Sequence, residues 1–180
     1  MPKYLTKEQL GPYSVKNVKM HQSHDGYGYN CDLYRDGKKV GHCMDDGNGG
    51  EMYPIDWGKP VDYKDEVASR KWSEFRKKEQ ALLDAHIATL PKVPSDLPNL
   101  GDLEMDEGWF VDELINQFEE DKIERKFARD CKTKTLYKLK TDKDGRYWIH
   151  KTPYTPQIKA GLEAKHGDQL KEIINERYMT

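Results

Sequence analysis

The dipeptide Asp36-Gly37 constrains the fold of this chain more than any other local feature. It lies between two runs of alternating polarity, Tyr27 to Arg35 and Lys38 to Met44. A type I′ turn needs positive φ at both central residues, and Asp-Gly supplies them at little steric cost, so the two runs are expected to close as an antiparallel hairpin. Such a turn pairs Arg35 with Lys38, which puts Leu33 opposite Val40 and Cys31 opposite His42. On that register Tyr29, Cys31, Leu33, Val40, His42 and Met44 share the expected core face. Asn30, Asp32, Tyr34, Lys39, Gly41 and Cys43 share the other. Tyr13 to Met20 reads as a preceding strand, with Asp25-Gly26 as its turn, so a three-stranded meander is expected. Asp45 to Gly50 reads as a tight loop, and Glu51 to Trp57 as a short fourth strand.

The middle of the chain changes period. From Tyr63 to Leu90, Ala68, Trp72, Phe75, Leu82, Leu83, His86 and Ile87 recur at helical spacing, with Asp62 as the expected N-cap and Pro91 as the stop. A second helix is expected from about Trp109 to Arg129, with Val111, Ile115, Phe118, Ile123 and Phe127 as its apolar stripe. Thr133 to Lys140 and Arg146 to Lys151 read as a second hairpin. Thr155-Pro156 then opens a terminal helix, with Ile158, Leu162, Leu170, Ile173 and Ile174 on its buried face and a break at Gly167. The expected fold class is α+β: an N-terminal antiparallel β-meander, two long helices, a C-terminal β-hairpin and a terminal helix. The expected division is a meander lobe over 1–60 and a helical lobe with a basic hairpin over 61–180, with one continuous domain as the alternative.

Composition removes several classes. The 180 residues hold 30 Lys and Arg against 32 Asp and Glu, a net charge of −2. Mean hydropathy is −1.00, and no stretch approaches the roughly 18 apolar residues of a membrane span. The first residues show no apolar core of a secretory signal. Three cysteines do not make a disulfide framework, so a reducing intracellular compartment is expected.

The residues that could perform chemistry are few. His21, His24, Cys31, His42 and Cys43 lie close in sequence, but no CxxC is present and His42 and Cys43 alternate on their strand, so no closed zinc site is expected. The Asp45–Gly50 loop fails the calcium-loop template, having Gly47 and Gly49 where ligands are needed. No serine sits in a nucleophile elbow. Cys131, beside Arg129 and Lys132, is the one cysteine whose neighbours would lower its pKa. No catalytic residue, metal or cofactor is assigned on these grounds, and a non-enzyme is expected. A metal-dependent hydrolase using His21, His24, His42 and Asp45 is the least supported of three function classes.

Charge segregation is more informative. Ser95 to Asp121 holds ten acids and no base, whereas Lys122 to Lys151 holds eleven bases against four acids. In the expected strand Lys132, Lys134, Lys138 and Lys140 all fall on even positions and so line one face. With Arg146, and with Tyr147 or Trp148 opposite, they form a candidate surface for an anionic partner. Asp45, Asp46 and Asn48 form a second candidate surface, on a glycine-rich loop able to approach a partner closely.

Two stretches taken together bear a resemblance. The first comprises Val15 to Lys19, Gly26 to Val40 and Asp45 to Gly50. The second comprises Cys131 to Tyr137, Thr155-Pro156 and Ile173 to Glu176. The combination resembles small uncharacterised accessory proteins of tailed bacteriophages and prophages, over residues 13 to 178. The resemblance implies a phage product acting in the cytoplasm of a bacterial host, where a binding protein that inhibits a host defence component is expected. It would use a host protein as partner and make no membrane contact. The alternative is a nucleic-acid or nucleotide-binding accessory protein using the lysine-rich hairpin. Exposed strand edges leave homo-oligomers open.

Overall fold

The structure, a computed structural model, describes residues 4–24, 26–48, 55–59, 62, 64–95, 101–143 and 145–178. It is α+β and divides into two compact units, Met1–Phe118 and Glu119–Thr180. The division falls inside the second long helix instead of near residue 60, because the first long helix shares its core with the meander.

In the first unit, β1 (Tyr13–Gln22), β2 (Tyr27–Arg35), β3 (Lys38–Asp45) and the two-residue β4 (Ile55–Asp56) form one antiparallel sheet in chain order. The expected turn is present, with Asp36 at φ 51° and Gly37 at φ 73°, and Arg35 pairs with Lys38. Beyond it the expected register fails. The ladder shifts between Tyr34↔Lys39 and Leu33↔Gly41, so Val40 is the extra residue of a β-bulge. One inserted residue exchanges the faces of everything that follows. Cys31 therefore opposes Cys43, and Asp32 opposes His42. Gly41 and Cys43 are buried, while His42 is half-buried and Met44 is 58% exposed. The Cys31 and Cys43 thiols are in contact inside the core, and hydrogen bonding and burial push the Cys43 thiol far up. A second bulge at Asn17 (φ 55°) bends the exposed edge strand β1 between Lys16 and Lys19, a device that discourages edge pairing.

Helix α1 (Glu66–Ile87) starts later than expected. Asp65 is its N-cap, accepting from the Val67 and Ala68 amides, while Asp62 closes a turn by accepting from Lys64. Its buried face is Glu79, Leu83 and Ile87, whereas Phe75 and Leu82, expected inside, are 38% and 40% exposed. Glu79 takes their place because both of its oxygens receive the Arg35 guanidinium, at 2.8 and 2.9 Å. Helix α2 (Glu107–Asp130) is capped by Asp106, whose carboxylate accepts the Trp109 amide at 2.8 Å. Its first half buries Phe110, Val111, Leu114 and Ile115 against Tyr13, Val15 and Leu33 of the sheet.

The second unit contains the rest of α2, then β5 (Thr135–Leu139), β6 (Trp148–His150), α3 (Pro156–His166) and β7 (Leu170–Ile173). Strand β5 is central, in the order β6-β5-β7. Thr155 caps α3 and Pro156 opens it, as expected. The helix does not continue to Ile174, however. Gly167, at φ 49°, ends it, and Leu170 to Ile173 pair with β5 as a strand. Leu170 and Ile173, three apart, carry a helical spacing, and the segment becomes a strand because it fills the open edge of β5, with a register shift between Lys138↔Glu172 and Leu139↔Leu170.

Candidate functional site

The turn from Asp45 to Asn48 is held by its own side chains. The Asp45 carboxylate accepts the Gly47 amide at 2.8 Å, the Asp46 carboxylate accepts the Asn48 amide at 3.0 Å, and the Ser23 hydroxyl donates to the Asn48 side chain. Gly47 (φ 71°) lies so close to Gly28 that a Cβ would stand 2.7 Å from the Gly28 nitrogen. This close approach requires glycine. The Asn48 amide holds the exposed Asp46 carboxyl below the usual range. Gly49 and Gly50 lie outside the described residues.

Asp45 also acts inside the first unit. Asp112, half-buried on α2, has its carboxyl pushed up to about 6, first by burial and then by the negative charges of Asp45, Asp106 and Glu113. A folded-state pKa above the ordinary 3.8 means stability that is complete at low pH and lost as pH rises through the folded value. Between about pH 4 and about pH 7 this single group is expected to cost on the order of 2 kcal/mol. Asp112→Asn should remove that cost. Urea unfolding of both chains across this range should show a difference that opens with rising pH. A constant difference would refute it.

The other sequence candidates separate. Asp32 receives Lys39 at 2.6 Å and Asn17 at 2.8 Å, with His42 Nδ1 at 3.2 Å, and these contacts hold its carboxyl far below the usual range. His21 lies over Gly28. Among the described residues no group of three or more His, Cys, Asp or Glu side chains is arranged to hold a metal ion. Cys131 is buried, and burial raises its thiol pKa, against the lowering expected from Arg129 and Lys132.

The expected lysine face is not one face. The strand begins at Thr135, so Lys132 and Lys134 lie in the turn after α2, where the Thr133 and Lys134 amides donate to the Asp130 carbonyl. Lys134 stands 3.8 Å from the Asp130 carboxylate. Lys138 pairs across the sheet with Glu172 at 3.2 Å. Lys140 and Arg146 lie in the loop between β5 and β6, both exposed. Asp130, Glu172 and the bend itself thus separate the four lysines and pair two of them.

The structure shows a different basic surface. Lys122, Arg125, Lys126 and Arg129 fall at i, i+3, i+4 and i+7 of α2 and are all exposed. This spacing aligns them on one stripe, on the side of the helix away from buried Phe127 and Cys131. With Glu119 and exposed Ile123 they line a shallow hollow of about 520 Å³. Tyr147 links this stripe to β6: its ring lies 5.4 Å from Lys126 Nζ and meets Phe127 edge-on at 5.0 Å. Two further hollows lie along β6. One is lined by Thr133, Lys134, Ile149 and Lys151, the other by Asp142, Gly145, Arg146, Tyr147 and Trp148. Arg125, Lys132, Lys140, Arg146 and Lys151 have no acidic partner among the described residues. Residues 119–180 hold 15 Lys and Arg against 11 Asp and Glu, a net +4, which leaves residues 1–118 with 15 against 21, a net −6. This stripe lies outside the lysine face expected from the sequence; the signal that marks it there is a helical period in charge.

No family model, no curated protein and no solved structure matches this chain. Among the described residues no helix is long and apolar enough to cross a membrane.

Proposed function

We propose that this protein is a non-catalytic binding protein whose second unit holds nucleic acid by its phosphate backbone. The single observation that favours this function is the exposed stripe of Lys122, Arg125, Lys126 and Arg129, in contact through Lys126 with Tyr147, whose chain neighbours are the exposed Arg146 and Trp148. Within the stripe Lys122 pairs with Glu119 at 3.0 Å and Arg129 with Asp130 at 3.2 Å, whereas Arg125 and Lys126 hold no ion pair among the described residues. Exposed cations of this kind lose little on meeting phosphate and release its condensed counterions. Exposed aromatic rings beside them are the usual complement for bases. Proteins of this kind need no active-site cluster.

Binding of an oligonucleotide by fluorescence anisotropy at stepped salt tests the proposal. Affinity is expected to fall steeply with salt. Replacing Arg125, Lys126 and Arg129 together by Gln should reduce the log–log salt slope by about 2 to 3 and weaken binding at least about tenfold. An unchanged slope, or no binding at low salt, would refute it.

A second function is favoured by the fixed acidic turn. As a phage product, the protein would bind and inhibit a host defence protein through Asp45, Asp46 and Asn48, which Gly47 and Ser23 hold in one presentation. It predicts a host partner retained after nuclease and high-salt washing and lost in Asp45→Ala/Asp46→Ala.

A further inference from the structure

We propose that Trp148 is a preformed stacking platform for one unpaired nucleobase, which makes the basic surface selective for single-stranded nucleic acid. The inference rests on the nucleic-acid function proposed above and names its substrate class.

Trp148 lies on β6 at the edge of the sheet and is 52% exposed. A ring left so open is normally free to turn, yet this one is fixed. Its Nε1–H donates to Asp142 Oδ1 at 3.0 Å, while Asp142 Oδ2 accepts the Leu139 amide at 2.7 Å. The Asp142 amide in turn donates to the Leu139 carbonyl at 3.1 Å, so the carboxylate is itself anchored in a closed turn. The backbone of Trp148 is paired with Tyr137 of the central strand. An exposed aromatic ring held by a hydrogen bond loses little conformational freedom on binding.

The hollow beside it, about 400 Å³, is lined by Asp142, Gly145, Arg146, Tyr147 and Trp148. Its size is that of a small-ligand site. Arg146 supplies a cation without an acidic partner among the described residues, and the Asp142 carboxylate is already engaged by two N–H donors. A phosphate on Arg146 with its base on the indole uses both groups. Tyr147, adjacent in sequence and part of the same lining, contacts Lys126 and Phe127, so one side chain touches both the hollow and the helical stripe. In a duplex each base is already stacked on its neighbours and must be extruded to reach such a ring, so the platform favours strands whose bases are free.

The test compares a labelled thymidine oligonucleotide of about 12 residues with a duplex of the same length, using the full-length protein. The single strand should bind at least about tenfold more tightly than the duplex, and its binding should quench tryptophan emission. Trp148→Leu should weaken single-strand binding about tenfold to a hundredfold, with the salt slope and the duplex affinity unchanged. Trp148→Phe, which keeps an aromatic face, should retain most of the affinity but lose most of the quenching. Equal binding of strand and duplex, or full affinity in Trp148→Leu, overturns the platform while leaving phosphate binding intact. Binding of neither nucleic acid overturns both. Should Trp148→Leu fail to fold, undiminished quenching in Trp148→Phe overturns the platform by itself.

Discussion

Replacing Asn175 by Asp is expected to unfold the second unit under conditions where the natural chain is stable. Asn175 is fully buried, and its side chain makes three hydrogen bonds. Oδ1 accepts the Leu136 amide at 2.7 Å, and Nδ2 donates to the Lys134 carbonyl at 2.7 Å and to the Cys131 carbonyl at 3.1 Å. One amide thus joins the end of α2, the turn after it, the start of β5 and the 3₁₀ turn Ile174–Arg177. Asp has the same shape but places a second acceptor against two carbonyl oxygens. If ionised it is a buried charge without a partner, and if neutral it satisfies one carbonyl and orphans the other. The cost is about 3 to 5 kcal/mol. Asn175→Ala, which only leaves the three backbone groups unpaired, should cost somewhat less, about 3 kcal/mol. Urea unfolding and hydrogen exchange at the Leu136 amide measure both. A loss below about 1 kcal/mol for Asn175→Asp would show that water replaces these bonds easily.

The second large effect is expected at Glu79 in the first unit. Its side chain is 4% exposed and receives the Arg35 guanidinium on both oxygens. The pair ties β2 to α1. Removing Glu79 leaves Arg35, 22% exposed, with only the Asp36 carboxylate at 2.7 Å and two of its donors without their buried acceptor, so Glu79→Ala should destabilise the unit by about 2 kcal/mol. Replacing both partners, as Arg35→Met with Glu79→Leu, should recover most of that loss, because two apolar groups need no partner. The Arg35 contact holds the Glu79 carboxyl below its ordinary value. Its stabilisation is therefore present above the unfolded pKa and lost as pH falls through the folded one. Glu79→Gln should flatten the acid limb of the stability profile. A double variant no more stable than Glu79→Ala would place the loss in packing instead of in the stranded charge.

Local signals were legible where a few neighbouring residues settle the matter. Asp36-Gly37 specifies its turn, Thr155-Pro156 its helix start, and Pro91 lies beyond the end of α1. The period in Lys122, Arg125, Lys126 and Arg129 defines a basic stripe on any helix containing them. The α+β class follows from these signals, since alternating runs come first and helical periods after.

Non-local partners decided the rest. The hydrogen-bond ladder between β2 and β3 made Val40 a bulge, and that one residue moved His42 and Met44 off the core face and Cys43 onto it. Arg35 selected Glu79 for burial over Phe75 and Leu82. Asn175, some forty residues away in sequence, set where β5 begins and so separated Lys132 and Lys134 from Lys138. Asp142 turned an exposed tryptophan into a fixed ring. The sequence by itself determined the turns, caps and charge periods, because these depend on backbone preferences over a few residues. Tertiary structure alone decided which face is buried, which strand edge is filled and which cations stand unpaired, because each depends on a partner that only folding brings within hydrogen-bonding distance.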